Sequence, residues 1–355
     1  MNSGLDQVIA AETVLSDVDG LGGELVIRGY PLDAIAGKMS FEGAAHLLLD
    51  GFFDDLPDED GLTARLAAAR VDVFERTEML LPRLAESPPY DGMRAGLALM
   101  PDDRSLEAAL RLIAAPAVLT PALLSLREGK APKAPDAGLS HAADIVRMLG
   151  RDDGADALDT YLVTVCDHGL NASTFAARVV ASTRAGLTSS VLAGLGALIG
   201  PLHGGAPGPV IEMLDQIEAG GDIGGWLKRE LESGQRLMGF GHRIYRVRDP
   251  RADALKNAVR RLPRTAGRLA FAEAVEAKAL ELLSQSKPGR VLQTNVEFYT
   301  ALLLEAVGFP PDAFTCVFAM GRVLGWIAHS REQASLDRLI RPQSRYVGPR
   351  FDLAA

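Results

Sequence analysis

Apolar residues recur at steps of three and four along most of this chain, and this period constrains the fold more than any other feature. Breaks rich in proline and glycine, such as ESPPYDG and GKAPKAPDAG, separate the periodic segments. The periodic segments are AAHLLLDGFF, LTARLAAARVDVFERTEMLLPRL, LEAALRLIAAPAVLTPALLSL, HAADIVRMLG, ADALDTYLVTVCDH, ASTFAARVVASTRA and SSVLAGLGALIG.

A strand pattern is convincing at one place, ELVIR at 24–28, which lies between GLGG and GYP. We therefore predict an all-α protein of more than a dozen helices with one small N-terminal β-hairpin. Such a chain offers no strand before a GxGxxG turn, which dinucleotide binding requires. The glycines of GLGALIG lie inside a helical pattern and indicate close helix packing instead.

The segment GPLHGGAPGP, residues 200–209, marks a break in composition, because seven of its ten residues are Gly or Pro. No helix is expected to run through it. The chain of 355 residues is long enough for two domains. We predict a large helical domain made of 1–205 and 301–355, and a small domain of 206–300 that carries catalytic and ligand-binding loops. The Gly- and Pro-rich junction would allow hinge motion.

The charge balance argues against a nucleic-acid partner, since a formal net charge of −9 leaves no broad basic surface. Cys166 and Cys316 lie in separate motifs and predict neither a disulfide framework nor a cysteine-rich metal site. The N-terminal residues lack the features of a signal peptide. The longest apolar run, VLAGLGALIGPL, is too short to span a bilayer. We expect a soluble cytoplasmic protein without membrane partners.

The stretch MGFGHRIYRVRDPRA concentrates positive charge in this acidic chain. Four arginines and a histidine, His242, lie within the ten positions 242–251. The arginines are Arg243, Arg246, Arg248 and Arg251. A solvated basic surface is one explanation, and a site for a small anionic ligand is the other.

Three of the six histidines lie at helix breaks, where side chains can face a cleft and backbone N–H groups are free. His168 follows a helix in CDHGLN, His203 lies in the Gly- and Pro-rich junction, and His242 follows a Gly-Phe-Gly turn. No pair has the spacing of a helical metal motif, so we predict no metal site and favour acid–base or ligand-orienting roles. The other three are His46, in an apolar helix, His141, at the surface or a helix cap, and His329, at a helix C-terminus, and we interpret them as structural.

Glu297 is the leading candidate carboxylate. In TNVEF, Asn295 is a suitable N-cap and places Glu297 in the first helical turn, where the helix dipole favours its ionised form. Arg322 lies in an almost entirely apolar helix, and a buried guanidinium needs an anionic partner from the protein or a ligand. Arg341 is a further basic residue near the C-terminus. Together with the histidines, these residues suit a polyanionic substrate and acid–base chemistry, but they do not select the reaction.

Several motifs resemble the citrate synthase family, in its order and spacing. They are AAETVLSDVDGLGGELVIRGYPLDAIA with FEGAAHLLLDG, DHGLNASTFAARVVAST, GPLHGGA, MGFGHRIYRVRDPRA, NVEFYTALLLEAVG and RPQSRYVGP. The resemblance covers nearly the whole chain and is weakest around residues 100–150. It implies a mostly helical two-domain subunit, an obligate homodimer and a cleft that closes over its substrates.

The resemblance also implies catalytic roles. Glu297 would remove a proton from the methyl group of acetyl-CoA, and His203 would hydrogen-bond the thioester oxygen. His242 would polarise and protonate the oxaloacetate carbonyl as the new C–C bond forms. Water then cleaves citryl-CoA to citrate and CoA, with no cofactor beyond the acyl-CoA substrate.

Binding roles follow in the same way. The implied oxaloacetate ligands are His168, His242, Arg251, Arg322 and, from the partner subunit, Arg341. The implied CoA contacts are Arg246, Arg248 and the backbone of Gly239 and Gly241. Arg243 has no role in this scheme.

The sequence departs from the family in three places. The base is usually Asp, and Glu297 is one methylene longer. Members often have His-x-Asp-His-Glu before LNAST, where this chain has Val165-Cys-Asp-His-Gly169. The usual GPLHGGANE continues here as GPLHGGAPGP.

Three other functions therefore stay open. One is 2-methylcitrate synthase, which uses propionyl-CoA, because one methylene changes discrimination by only about 1–3 kcal/mol. Another is a catalytically weakened relative that binds CoA or dicarboxylates. The third is a helical scaffold without a small-molecule site, which would leave Arg322 and the basic cluster without a purpose.

Overall fold

The computed structural model describes residues 5, 8–204, 207–242, 244–245, 247–262, 265–286 and 292–349. Helices dominate the described chain, as the apolar period predicted. They are α1 (Leu32–Ile35), α2 (Phe41–Leu49), α3 (Glu59–Thr77), α4 (Leu81–Leu84), α5 (Pro89–Leu97), α6 (Leu106–Arg127), α7 (His141–Met148), α8 (Ala155–Val165), α9 (Ala172–Ala181), α10 (Leu187–Leu198), α11 (Pro207–Gly220), α12 (Ile223–Glu232), α13 (Pro250–Arg260), α14 (Ala266–Ser286), α15 (Val296–Val307) and α16 (Phe314–Ser335). Short 3₁₀ helices span Glu78–Leu80 and Pro311–Ala313.

A small antiparallel sheet near the N-terminus has the strand order β1–β2–β3. The strands are β1 (Ser16–Asp19), β2 (Glu24–Ile27) and β3 (Tyr30–Pro31). The predicted hairpin is β1–β2, with Ser16 opposite Ile27, and a two-residue third strand extends it. Leu25 and Ile27 of β2 are buried and anchor the sheet to the helical core. The all-α prediction with one small hairpin is confirmed.

Helix starts follow local capping rules. Ser40, Ser105, Ser140 and Asn171 precede α2, α6, α7 and α9, and their side chains accept hydrogen bonds from first-turn N–H groups. Such caps satisfy donors that the helix itself leaves free. The boundaries of these helices are therefore encoded locally.

Helix α6 runs through the core and contains Pro116 and Pro121. Among the described helices, it alone is long and apolar enough to cross a membrane by itself, while α15 and residues 311–335 would pass only as a pair bent by 117°. Because 83% of its most apolar window is buried inside the protein, we interpret α6 as a core helix. This helix, rather than VLAGLGALIGPL, is the longest apolar segment.

Small residues bring α16 close to its neighbours. A Cβ on Gly321 would lie 2.6 Å from Val165 Cγ2, and a Cβ on Gly325 would lie 2.3 Å from the Cys166 carbonyl oxygen. Gly325 N also donates to that oxygen at 3.1 Å. This approach places Arg322 of α16 beside the connection that carries His168.

The glycines of GLGALIG differ in role. A Cβ on Gly194 would lie 2.7 Å from the Trp326 ring, so the predicted close helix packing is confirmed there. Gly196 has no atom within 4 Å of the Cβ position and needs no small residue.

The composition break at 200–209 coincides with the end of one helix and the start of another. α10 ends at Leu198 and α11 begins at Pro207, so no described helix crosses the break. α13, in the predicted small domain, packs against both α8 and α15. The division into two domains and the hinge motion stay predictions.

Two histidines differ from expectation. His141 is the first residue of α7 but is fully buried, so its predicted surface or capping role was wrong. His329 lies in the interior of α16 rather than at a helix C-terminus, and it contacts Asp167 at 3.2 Å and Arg178 at 3.0 Å. His329 therefore joins α16, α9 and the connection that carries His168.

Candidate active site

His168 lies in the connection between α8 and α9, where the helix break placed it. Its ring is buried, and Nε2 is 3.1 Å from Tyr245 Oη. The ring centroid of His168 is 5.9 Å from that of His242. Burial, and then the charges of Arg251 and Arg322, lower the pKa of His168 well below its usual value. The ring is therefore neutral at physiological pH.

The protonation state of His242 follows from its hydrogen bonds. The backbone N–H groups of Ile244 and Tyr245 both donate to Nδ1, at 3.1 Å each. A ring nitrogen that accepts carries no proton, so the proton of the neutral ring is on Nε2. Burial, and then the charge of Arg251, lower the pKa of His242 to about 4. At neutral pH, His242 is thus a neutral hydrogen-bond donor through Nε2.

Arg251 brings a second donor to the same point. Its Nη2 is 3.2 Å from His242 Nε2, and both nitrogens carry hydrogens and cannot accept. An oxygen atom placed between them would accept from both. Asp249 holds the buried Arg251 guanidinium, with Nε to Oδ1 at 3.0 Å and Nη2 to Oδ2 at 2.8 Å. Although burial acts in the opposite direction, Arg251 keeps the pKa of Asp249 below its usual range.

Arg322 is buried, and no carboxylate of the described residues lies within ion-pair distance of its guanidinium. Its Nε donates to the Val165 carbonyl oxygen at 2.7 Å, and its guanidinium carbon is 5.0 Å from the Phe318 ring centroid. Nη2 is buried and has no hydrogen-bond partner among the described residues. Burial lowers the pKa of Arg322 to about 10, so it remains charged. A ligand carboxylate would satisfy this cation.

Glu297 lies in the first turn of α15, and Asn295 accepts a hydrogen bond from its N–H at 3.0 Å, as the sequence predicted. The expectation that the helix start favours the ionised carboxylate was wrong in its net effect. Burial raises the pKa of Glu297 to about 7, against the opposing charge of Arg251 and the hydrogen bond from Asn295. A carboxylate with this pKa suits a general base near neutral pH.

The Gly-Phe-Gly turn connects the His242 loop to α15. Gly239 and Gly241 both have φ of +83°, which favours glycine. Asn295 N donates to the Gly239 carbonyl at 2.9 Å, and Asn295 Nδ2 donates to the Gly241 carbonyl at 2.8 Å. Asn295 therefore caps the helix of Glu297 and holds the turn before His242 at the same time.

His203 lies in the Gly- and Pro-rich junction and contacts the start of α9. Its Nε2 is 2.8 Å from Ser173 Oγ, and Trp326 Nε1 donates a hydrogen bond to the same oxygen at 3.1 Å. Ser173 is buried in the first turn of α9. The junction histidine is thus tied to a rigid helix start.

Of the arginines in the basic cluster outside the oxaloacetate site, the structure describes only Arg248. Arg248 is held by Asp253 at 2.6 Å and by the buried Glu276 at 3.4 Å, so a phosphate would have to compete with these carboxylates. Arg243 and Arg246 lie outside the described residues. CoA contacts by the arginines and by the Gly-Phe-Gly backbone stay predictions.

Arg341 lies in the segment after α16. It is exposed and makes no hydrogen bond or ion pair with a described residue. The segment is fixed at its start, where Ile340 N donates to Ser182 Oγ at 3.1 Å and Arg184 pairs with Asp337 at 2.5 Å. Its predicted reach into a partner subunit stays a prediction.

Three residues of the site were missed by the sequence reasoning. Asp249 could have been found, because an Asp followed by Pro250 is a typical helix start. Tyr245 and Ser173 carried no such signal, since their contacts with His168 and His203 exist only in the folded protein.

The assembled site offers neutral histidine donors, two buried arginines and a carboxylate with a raised pKa. Within the described ranges, no three His, Cys, Asp or Glu side chains are grouped as metal ligands. The arrangement suits binding of a small polyanion and proton transfer at a neighbouring group.

Comparisons with known proteins agree with this chemistry. The family model described as "Citrate synthase, C-terminal domain" matches residues 4–343. A citrate synthase of Haloferax volcanii is 36% identical, over 98% of this chain and 96% of that protein. A 2-methylcitrate synthase of Mycobacterium tuberculosis is 33% identical, over 98% and 91%.

A solved structure extends the likeness to the whole fold. Citrate synthase from the archaeon Thermoplasma acidophilum, in a ternary complex with carboxymethyl coenzyme A and oxaloacetate, superposes with a TM-score of 0.87 at 27% identity, covering 100% of this chain and 98% of that one. The chain therefore belongs to the citrate synthase family, whose enzymes condense an acyl-CoA with oxaloacetate.

Proposed function

We propose that this protein condenses acetyl-CoA with oxaloacetate and water to give citrate and CoA. The observation that carries the proposal is Arg322, a buried cation whose Nη2 lacks a partner among the described residues. Its charge acts on His168 and on Arg251, so the three form one electrostatic unit. A carboxylate of a dicarboxylate such as oxaloacetate would accept the hydrogen bond that Nη2 does not make to the described residues.

The first step is removal of a proton from the acetyl methyl group. The Glu297 carboxylate takes the proton, and the C–H electron pair forms the enol double bond while the thioester oxygen gains negative charge. His203 stabilises that oxygen, as a preorganised donor does in an oxyanion hole. The pKa of about 7 at Glu297 makes it a stronger base than an exposed glutamate.

The second step forms the carbon–carbon bond. The enol carbon attacks the carbonyl carbon of oxaloacetate, and the carbonyl oxygen takes the proton from His242 Nε2. Arg251 Nη2, 3.2 Å from that nitrogen, stabilises the same oxygen or an adjacent carboxylate. Water then adds to the thioester carbon, the C–S bond breaks, and CoA leaves as the thiol with a proton of that water. The proton held by Glu297 returns to His242 by way of water, and the new carboxyl group releases its proton to solvent.

The remaining parts of the proposal concern partners. We propose a homodimer in which Arg341 of the partner subunit completes the oxaloacetate site. Exposure of this arginine in the segment after α16 supports that role. CoA phosphates would contact Arg246 and Arg248, no cofactor is required, and the protein would act in the cytoplasm.

The test is thiol release by purified protein with oxaloacetate and either acetyl-CoA or propionyl-CoA. We expect acetyl-CoA to be preferred by about tenfold or more, as one methylene allows. The matched relative named 2-methylcitrate synthase makes preference for propionyl-CoA the alternative outcome.

Two glutamates of α15 provide a matched pair of variants. Glu297→Gln should reduce turnover by about 10²- to 10⁴-fold, because the base is removed with its shape retained. Glu305→Gln, whose carboxylate pairs with Arg268 at 3.2 Å, should leave turnover within about twofold since it removes a surface ion pair. Absence of thiol release from the wild type, together with thermal stabilisation by oxaloacetate, would instead support a weakened dicarboxylate-binding relative.

A further inference from the structure

The β1–β2 hairpin contacts both loops that carry the histidines of the oxaloacetate site. Ser16 Oγ donates to Asp167 Oδ2 at 2.5 Å and accepts from Gly169 N at 2.9 Å. These contacts lie on either side of His168. The hairpin thus fixes the position of the His168 connection from one side.

The turn that follows β1 contacts the loop that carries His242. A Cβ on Gly20, in the turn after β1, would lie 2.4 Å from the Ile244 carbonyl oxygen. A Cβ on Gly23 would lie 2.6 Å from Val247 Cγ2. Because real Cβ atoms do not approach a backbone oxygen so closely, Gly20 permits backbone-to-backbone contact that any side chain would prevent.

Strand geometry explains how one short element reaches two loops. Side chains alternate along a strand, so Ser16 and Val18 share a face, and Gly20 follows in the turn directly after the strand. Val18 lies between the other two and is 3.3 Å from the Cβ position of Gly169. The three positions span about 13 Å at the usual rise per residue. The buried Ile27 and Leu25 of β2 pair with Ser16 and Val18 and hold β1 in place.

We propose that β1 and its glycine turn act as a brace that sets the position of His242 relative to His168. The turn contacts the carbonyl of Ile244, whose N–H is one of the two donors to His242 Nδ1. The next residue, Tyr245, supplies the other donor and contacts His168 through its hydroxyl. Ser16 and Gly20 are therefore positioning residues that act through these loops, and the inference rests on the proposed function only for its kinetic consequence.

Two glycines of one turn provide a matched test. Gly20→Ala forces the Ile244 carbonyl to move, whereas a Cβ on Gly22 meets only the movable Asp19 carboxylate, at 2.4 Å. Neither glycine has a positive φ, so alanine is compatible with both backbones. Misplacement of His242 by about 1 Å should lower kcat by about tenfold to a hundredfold in Gly20→Ala. Gly22→Ala should stay within about twofold of the wild type.

Amide hydrogen exchange gives a readout that is independent of activity. In Gly20→Ala, the N–H groups of Ile244 and Tyr245 should exchange about tenfold faster than in Gly22→Ala, because their bonds to His242 Nδ1 are disturbed. Ser16→Ala should raise exchange at Gly169 N and raise the KM for oxaloacetate several-fold. Equal exchange and equal kcat in both glycine variants would overturn the brace.

The two proposals fail in different ways. A wild type without thiol release would contradict the proposed function, while the exchange comparison would still decide the brace. If Gly20→Ala does not fold, Ser16→Ala carries the test, and unchanged exchange at Gly169 with an unchanged KM would refute the inference.

Discussion

The pH dependence of turnover should report the burial of Glu297. Burial raises the pKa of this carboxylate from 4.5 to about 7. The base works only when deprotonated, so kcat/KM should fall by about tenfold per pH unit below pH 7. At about pH 5, roughly one site in a hundred would be active, whereas an exposed glutamate would remain mostly ionised.

The same shift has a consequence for stability. The folded protein binds the Glu297 proton more tightly than the unfolded chain, so stability falls as pH rises from 4.5 to about 7. The loss amounts to about 3 kcal/mol at most. Glu297→Gln carries no ionisable group and should gain relative stability over the wild type through that window.

The assay is thiol release from pH 5 to pH 8.5 in buffers of constant ionic strength, with denaturant unfolding of wild type and Glu297→Gln over the same range. His242, with a pKa of about 4, should add no limb within this range. Turnover that stays nearly constant down to pH 5, as a base with the ordinary pKa of 4.5 would give, or a stability difference that does not change with pH, would refute the assignment of a buried base.

Five further substitutions, at four positions, test the charge of the site and the packing of α10. Arg322→Met should raise the KM for oxaloacetate by about a hundredfold or more, because the buried guanidinium that would bind a substrate carboxylate is lost. Steady-state kinetics decide this, and an unchanged KM would contradict it. Gly194→Ala should lower the free energy of unfolding by about 1–3 kcal/mol, because the added methyl group overlaps Trp326. Gly196→Ala should raise it by up to about 1 kcal/mol, because alanine is the better helix former and the position is open. Thermal melts of the two variants decide this. Asp249→Ala should lower the free energy of unfolding by about 3–5 kcal/mol, because the buried Arg251 loses its counter-charge. Asp249→Asn should lower it by less in the same melts.

Much of the architecture could be predicted from the chain alone. The period of apolar residues located the helices, and capping residues such as Asn171 and Asn295 set helix starts because capping depends on neighbours a few residues away. The break at 200–209 could be predicted for the same local reason. Placement of His168 and His203 at breaks followed from these boundaries.

Burial could not be predicted in this way. His141 was expected at the surface and is fully buried, because the face that a short helix turns inward depends on the elements packed around it. The expected ionisation of Glu297 was wrong for the same reason. The helix start is a local effect, and desolvation by the surrounding protein outweighs it.

By itself, the sequence determined the helical class, the starts of several helices and the residue types able to bind a polyanion, since these depend on periodicity, capping and motif order. Only the tertiary structure decided which groups are partners. The contact of Tyr245 with His168, the unpartnered Nη2 of Arg322 and the approach of Gly20 to Ile244 each join residues far apart in the chain. Such contacts and the desolvation that accompanies them arise from packing, which no local pattern encodes.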